Sequence, residues 1–210
     1  MTLRQIDPAK LEGRAPYFLI TSLVVPRPIA WVSTVSAEGT FNVAPHSYFN
    51  VISSNPWILH FTSTGEKDTL RNVRSTGDFV INVVNRDICE HMNYTSGDLP
   101  PDESEFEWAG LTAAPSTRVK SPRVGEAPVA FECTVNDIVS KGNGHMVFGD
   151  VVLAHVEESL FTDERVDPAK LKPVGRLGGA LYTDASKGIF EIKRPTWEEI
   201  KTGSYPPPGP

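Results

Sequence analysis

Apolar positions along this chain alternate more often than they recur at helical spacing, and the runs in which they do so are short. Trp57-Ile58-Leu59-His60-Phe61-Thr62 sets Trp57, Leu59 and Phe61 on one face and Ile58, His60 and Thr62 on the other, the period-two pattern of a half-buried strand. Ala30 to Val35 is a β-branched and aromatic run closed by Ala37-Glu38-Gly39-Thr40, which reads as a strand and its turn. Phe41 to Tyr48 resumes the pattern, and Pro45 inside it removes one ladder donor, which assigns the run to an edge or a bulge. Phe79 to Val84 is a further strand. Val129 to Val139 and His145 to Val156 flank Gly142-Asn143-Gly144, where an Asn-Gly pair predicts a hairpin whose two central residues take positive φ. Helical spacing is confined to three stretches. Lys67 to Arg74 has Leu70 and Val73 three apart, a cap in Asp68 or Thr69 and Gly77 beyond; Arg86 to Tyr94 has Ile88 and Met92 four apart; Thr196 to Lys201 makes a last turn.

Composition agrees with many short elements. Sixteen glycines and eighteen prolines among 210 residues are more than the helices of a bundle could absorb unbroken. Strands, turns and short helices in this order predict a mainly β chain, a Greek-key or split barrel. Residues 1–14 read as a lead, 15–200 as one domain, and 201–210 as a proline-rich, polyproline-like tail. Between 96 and 122 the chain turns to Pro, Asp, Glu, Ser and Thr, with Phe106, Trp108 and Leu111 as its sizeable apolar residues. That predicts a long solvated excursion held to the body by Trp108.

Several function classes drop out. A net charge of −6 without a Lys/Arg stripe argues against nucleic acid as a partner, because phosphate-backbone binding needs clustered positive charge. The longest apolar runs are too short to span a membrane, and the charged first twenty residues carry no signal peptide, so the expectation is a cytoplasmic protein. Cys89 and Cys133 form no CxxC and five histidines are scattered, which predicts two buried thiols and no metal site. GxSxG, HExxH and the P-loop are absent, and Gly175 to Gly179 lacks the setting of a dinucleotide-binding GxGxxG.

What remains is a constellation near the front of the chain: Arg27, Ser33, Thr34, Asn42, Ser47, and Lys67-Asp68-Thr69 at the start of a helix. Cations and hydroxyls beside a helix N-terminus can cradle a phosphate, since the first-turn amides and the helix dipole both favour an anion. Each piece alone reads equally as a solvated lysine or a strand hydroxyl bonded to its neighbour.

The run Arg27-Pro28-Ile29-Ala30-Trp31-Val32-Ser33-Thr34, then Gly39, Asn42 to Phe49, Pro56, Lys67 to Asn72 and Phe79 to Asn82, resembles the flavin reductase-like family of FMN-binding split barrels, in its flavoredoxin-like branch. Gly144 to Val151 and the group Arg176, Gly178, Gly179 and Tyr182 extend the resemblance over roughly residues 15 to 190. It implies a six-stranded antiparallel Greek-key split β-barrel, a homodimer and FMN in a groove near the dimer interface. Ala44, Pro45, His46, Ser47, Tyr48 and Phe49 would then run past the flavin ring and present backbone N–H donors. Ser33 and Thr34 would meet the ribityl chain or phosphate. Lys67, Asp68 and Thr69 would hold the phosphate, with Arg27 as a second cation. Asn42, Asn82 and Arg176 lie in the matched motifs, His46 would line the pocket, and His145 would contact the nicotinamide. The implied activity is hydride transfer from NADH or NADPH to FMN, with electrons passed to a monooxygenase or another acceptor. The same residues fit an FMN-binding electron carrier or flavin-storage protein.

Overall fold

The strand-like runs, with one further strand, pair into one antiparallel sheet of seven strands. They are β1 (Ala30–Val35), β2 (Phe41–His46), β3 (Phe49–Ser54), β4 (Trp57–Thr64), β5 (Asp78–Val83), β6 (Val129–Lys141) and β7 (Gly144–Val156). Their order in the sheet is β2-β1-β5-β6-β7-β4-β3. The structure, a computed structural model, describes residues 2–100 and 102–205; the end of the expected proline-rich tail, from 206 on, lies outside the described residues. β5 sits between β1 and β6, and the β3–β4 hairpin returns to β7, which is the crossover of a Greek-key split barrel. The two sheet edges approach each other where the chain steps from β2 to β3. There the Thr62 amide donates to the Tyr48 carbonyl at 2.8 Å, and the His46 ring lies 4.8 Å from that of Phe61.

One strand beyond the expected six is present. β3 pairs with β4 as an exposed edge, and a register shift between Val51 and Ser53 leaves Val51 and Ile52 both facing solvent, so it carries no alternation to announce it. The same hairpin explains Trp57. It pairs with Ser54 at the far end, beyond the core, and is exposed, while Leu59 and Phe61 are buried as expected.

Four helices pack around the sheet: α1 (Ala15–Leu23), α2 (Asp68–Thr76), α3 (Cys89–Tyr94) and α4 (Glu105–Trp108). β1 is buried on both faces. Ala30 and Val32 join Phe61, Leu70, Val73, Phe79, Ile81, Cys133 and Val147, whereas Trp31 joins Val43, Met92 and Phe106 on the other side. The indole N–H of Trp31 is satisfied by Thr95 Oγ1 at 2.9 Å. Both cysteines are free and buried. A small three-stranded sheet joins Arg27–Pro28 to Val174–Arg176 and Tyr182–Asp184.

Local detail departs from expectation in two places. α2 has Lys67 as its N-cap and no side-chain cap at all, rather than a cap in Asp68 or Thr69; its C-terminus ends on Gly77 with φ 74° as expected. The β6–β7 turn is Gly142-Asn143, not Asn143-Gly144: Lys141 pairs with Gly144, and Gly142 alone takes a positive φ, 58°. A glycine at the first central position suffices for a hairpin of the II′ kind.

The excursion is docked by carboxylates more than by apolar packing. Glu132 accepts the Thr117 amide at 2.8 Å and the Arg118 amide at 2.5 Å, and Asp78 accepts those of Lys120 (3.2 Å) and Ser121 (3.0 Å). Phe106 is the apolar anchor, and Trp108, the residue expected in that role, is 60% exposed.

Gly149 on β7 marks the tightest point of the inner core. A Cβ there would stand 2.4 Å from Phe79 Cζ and 3.0 Å from Cys133 Cβ, both in fully buried side chains. Gly149→Ala should therefore destabilise the fold by about 1–3 kcal/mol, the usual cost of overpacking. Urea denaturation should give a lower midpoint with an unchanged slope; an unchanged midpoint would show that Phe79 can yield.

Candidate functional site

β2 is the last strand of the sheet, so half of its backbone groups have no strand partner. The Val43 amide is bonded to Glu105 Oε2 at 3.1 Å, which fixes the alternation: Phe41, Val43 and Pro45 turn their backbone outward, and Asn42, Ala44 and His46 turn theirs toward β1. Pro45 has no N–H. Within β2 the free edge therefore offers the carbonyls of Val43 and Pro45, while the backbone of Ala44 and His46, two of the expected donors, faces β1.

Donors come instead from α2. The uncapped first turn of this nine-residue helix leaves free amides beside Lys67 and Thr69, at a cavity of about 320 Å³ also lined by Ala44, Pro45, His46, Arg71, Ser96 and Asp98. A polar network sets α2 against β2. Asn42 Nδ2 donates to both Glu105 oxygens at 2.9 Å, Thr69 Oγ1 donates to Asn42 Oδ1 at 3.1 Å, and Asn72 Nδ2 donates to Thr34 Oγ1 at 3.0 Å. Glu105 is 6% exposed and its pKa is raised, chiefly by burial.

The cavity is not purely basic. Lys67 pairs with Asp98 at 3.4 Å, and Arg71 pairs with Asp68. Asp98 is 94% exposed, and such surface pairs contribute about 0–1 kcal/mol, less than the roughly 1.5–3 kcal/mol of a charged hydrogen bond. An anion reaching the helix amides can thus displace Asp98 from Lys67. This donor set fits a phosphate, and the outward Pro45 carbonyl fits an imide N–H of a flat ring.

His46 closes the inner wall of the cavity. Its side chain is almost wholly buried, Nε2 has no hydrogen-bond partner, and burial, with a smaller contribution from nearby Lys67, lowers its pKa to about 4. At neutral pH it is a neutral imidazole near the Lys67 ammonium.

The other expected site residues lie elsewhere. Ser33, Thr34 and Asn82 are fully buried and face no cavity: Ser33 Oγ donates to the Pro122 carbonyl, and Asn82 Nδ2 donates to Trp31 O and Ser33 Oγ at 2.9 and 3.0 Å. Ser33 and Asn82 tie the sheet to the end of the excursion and the short strand after it, whereas Thr34 backs the Asn42–Asn72 network from inside the sheet. Arg27 is directed away from Lys67, with its guanidinium on the carbonyls of Thr21, Val24 and Leu177. Ser47, Tyr48 and Phe49 follow the bend out of β2 and line a separate apolar slot with His60. Arg176 donates to Gly179 O at 2.7 Å and to the Tyr182 hydroxyl, in a second cavity. His145 stands at the start of β7 with Nδ1 2.8 Å from Ser140 Oγ, and it lines neither this cavity nor that one. Lys67, Asp68, Thr69, Asn42, Ala44, Pro45 and His46 are brought together.

A model of the flavin reductase-like domain matches residues 22–171. The chain belongs to the flavin reductase-like family. The flavin reductase-like match makes it a member of a flavin-related oxidoreductase family. An uncharacterised Aquifex aeolicus protein is 42% identical over 180 residues, covering 83% of this chain and 92% of the relative. Nitrilotriacetate monooxygenase component B from Bacillus cereus superimposes with a TM-score of 0.89 at 33% identity, covering 91% of this chain and 100% of that one. The 2-nitrobenzoate 2-nitroreductase of Pseudomonas fluorescens gives 0.85 at 35% identity, covering 92% and 98%.

Sequence reasoning missed Glu105, which orders the flavin reductase-like site through Asn42 and Val43. Its only signal was adjacency to the apolar Phe106 in an acidic stretch. Ser96 and helix α1 were missed as well.

His46 generates a pH dependence. Its pKa lies below the ordinary value of 6.5 in the folded state, so the unfolded chain binds the proton first. The stability it confers is present above pH 6.5 and is lost as pH falls toward about 4. His46→Phe keeps an aromatic ring against Phe61 and removes the proton site. Between pH 7 and 4 the variant should lose ~2–3 kcal/mol less stability than the parent in denaturant titrations; parallel curves would mean that His46 does not titrate in this range.

Proposed function

We propose that this flavin reductase-like protein transfers hydride from NADH or NADPH to FMN, either releasing the reduced flavin or keeping it and reducing a further acceptor. The observation that carries this reading is the uncapped N-terminus of α2 beside Lys67 and Thr69, opening on a cavity beneath the free edge of β2. When bound, FMN supplies the two-electron chemistry. The amides of α2 and the ammonium of Lys67 take its phosphate. Thr69 stays oriented by Asn42, which Glu105 holds in turn. The Pro45 carbonyl would be available to a donor on the bound ring, and neutral His46 gives the inner wall a polar atom without adding charge. Position and local field do the work, since hydride transfer needs two rings in contact rather than a strong acid or base.

The similar proteins support two outlets for the electrons. One relative is a component of a monooxygenase, which suggests a monooxygenase partner; the other is a nitroreductase named for an aromatic acid, which suggests a small-molecule acceptor. We further propose a homodimer. Val51, Ile52 and Trp57 on the β3–β4 edge and Ile20, Leu23 and Val24 around α1 are all at least half exposed, a surface that a second copy would cover. No helix among the described residues is long and apolar enough to cross a membrane, and the proposed location is the cytoplasm.

Following NADH and NADPH absorbance with and without added FMN tests the activity. Oxidation with either nucleotide supports it; FMN binding without oxidation would leave an electron carrier or flavin store, and no FMN binding would remove the flavin reading. Lys67→Ala should weaken FMN binding by ~1.5–3 kcal/mol, about 10- to 100-fold, in a flavin-fluorescence titration. Equal affinity would take Lys67 out of the site.

A further inference from the structure

The cavity at α2 holds more acid than base. Glu66, Asp68, Asp98 and Glu105 line it beside two cations, Lys67 and Arg71. The adjoining cavity, which shares Pro45 and Ser96 with it, has a volume of about 450 Å³ and no carboxylate in its lining. Its cations are Arg14, stacked on Phe18, Arg176, stacked on Tyr182, and the buried Arg27. With acids in excess at α2, an anion finds a favourable field there only where one acid gives way.

Three of these acids are committed elsewhere. Glu66 pairs with Arg74, Asp68 with Arg71, and the buried Glu105 with Asn42 and the Val43 amide. Asp98 differs from them. Its side chain is 94% exposed, and its one polar contact among the described residues is the Lys67 ammonium at 3.4 Å. It sits on a strap, Ser96 to Leu99, every residue of which lines the cavity. The strap is fixed on either side: buried Thr95 accepts the Trp31 indole N–H, and Glu105 is bonded to β2. Within it the Ser96 and Gly97 amides donate to the Asn93 and Tyr94 carbonyls of α3, whereas the backbone of Asp98 makes no hydrogen bond among the described residues.

We propose that Asp98 is a built-in counter-anion for Lys67 that is exchanged for the ligand's phosphate, and that it thereby sets how readily a phosphate-bearing flavin enters and leaves. While no ligand is bound, the ammonium keeps an anionic partner. A phosphate brings more charge than one carboxylate and meets the α2 amides as well as Lys67, so it displaces Asp98 into water. As the ligand departs, Asp98 returns and competes for Lys67, which lowers affinity and eases release. The exchange responds to the phosphate rather than the ring, so riboflavin, which has no phosphate, leaves the Lys67–Asp98 pair closed. That the phosphate belongs to a flavin rests on the flavin reading of this cavity; the exchange of Asp98 for a phosphate does not.

Flavin-fluorescence titration of the full chain with FMN and with riboflavin tests this, on the parent, Asp98→Asn, Lys67→Ala and the double variant. Asp98 is exposed and bonded to Lys67 alone among the described residues, so Asp98→Asn should retain its fold. It should tighten FMN about three- to fivefold, the scale of one surface ion pair removed from competition, and leave riboflavin binding as in the parent. In the Lys67→Ala background the same substitution should have no effect on FMN, because the ammonium to be competed for is gone. The proposal is overturned if Asp98→Asn leaves FMN affinity unchanged or weakens it, or if riboflavin tightens as much as FMN. It is also overturned if the gain persists without Lys67, since such a gain comes from the general field of the cavity. Calorimetric titration with inorganic phosphate separates the exchange from the flavin reading. In a chain that binds no flavin, tighter phosphate binding by Asp98→Asn that vanishes with Lys67→Ala supports the exchange and removes the flavin reading; no change in phosphate binding there overturns both.

Discussion

A sheet that ends on β2 must leave outward backbone groups without a strand partner, and the site is built around how those groups are satisfied. Pro45 removes one donor outright, and the buried carboxylate of Glu105 takes another from Val43. Glu105 also holds Asn42, whose carbonyl oxygen accepts from Thr69 in the first turn of α2. One carboxylate thus fixes both the strand edge and the helix terminus that face the cavity. Losing it would strand two buried donors, each costing about 1–3 kcal/mol, on the two elements whose relative position matters most.

The same device recurs along the excursion. Asp78 and Glu132, like Glu105, are nearly inaccessible, and each accepts backbone amides from outside the strand that carries it. Burial alone would raise the Glu132 pKa, but the amides of Thr117 and Arg118 and the ring of His155 outweigh it and hold it below the usual carboxylate range. A segment rich in Pro, Ser and Thr offers little apolar surface, so carboxylate-to-amide bonds are the available means of docking it. That makes most of the excursion structural rather than a cover for the site.

Much of the fold was legible because it rests on short-range pattern. Alternation located β4 and β6, short β-branched or apolar runs located β1, β5 and β7, and Pro45 correctly identified an edge. β3 was not legible: its bulge destroys the alternation and nothing buries its face. α1 escaped for a related reason. Thr21 is its only buried residue, so Tyr17, Phe18, Ile20 and Leu23 do not trace one packed face. At the cavity, Lys67 and Thr69 could be read from residue type and position, and His46 only through the family resemblance. Ser33, Thr34 and Asn82 could not be assigned that way, because a hydroxyl or amide on a strand looks the same whether it faces a cavity or a neighbouring buried chain. Only the three-dimensional register separates them, and it puts them inside.

Charge divides the two cavities that meet at Pro45 and Ser96. Glu66, Asp68, Asp98 and Glu105 line the one at α2, and no carboxylate lines the other. By net charge alone an anion would prefer the arginine-lined cavity. What favours a phosphate at α2 is directional: free helix amides converge there, and the competing acids are either exposed and displaceable, as Asp98 is, or already committed to Asn42 and Val43, as Glu105 is. A helix terminus selects by geometry, whereas stacked arginines select by charge and planarity. The two adjoining cavities thus differ in how they would hold an anion, and they meet at Pro45, which has no N–H of its own.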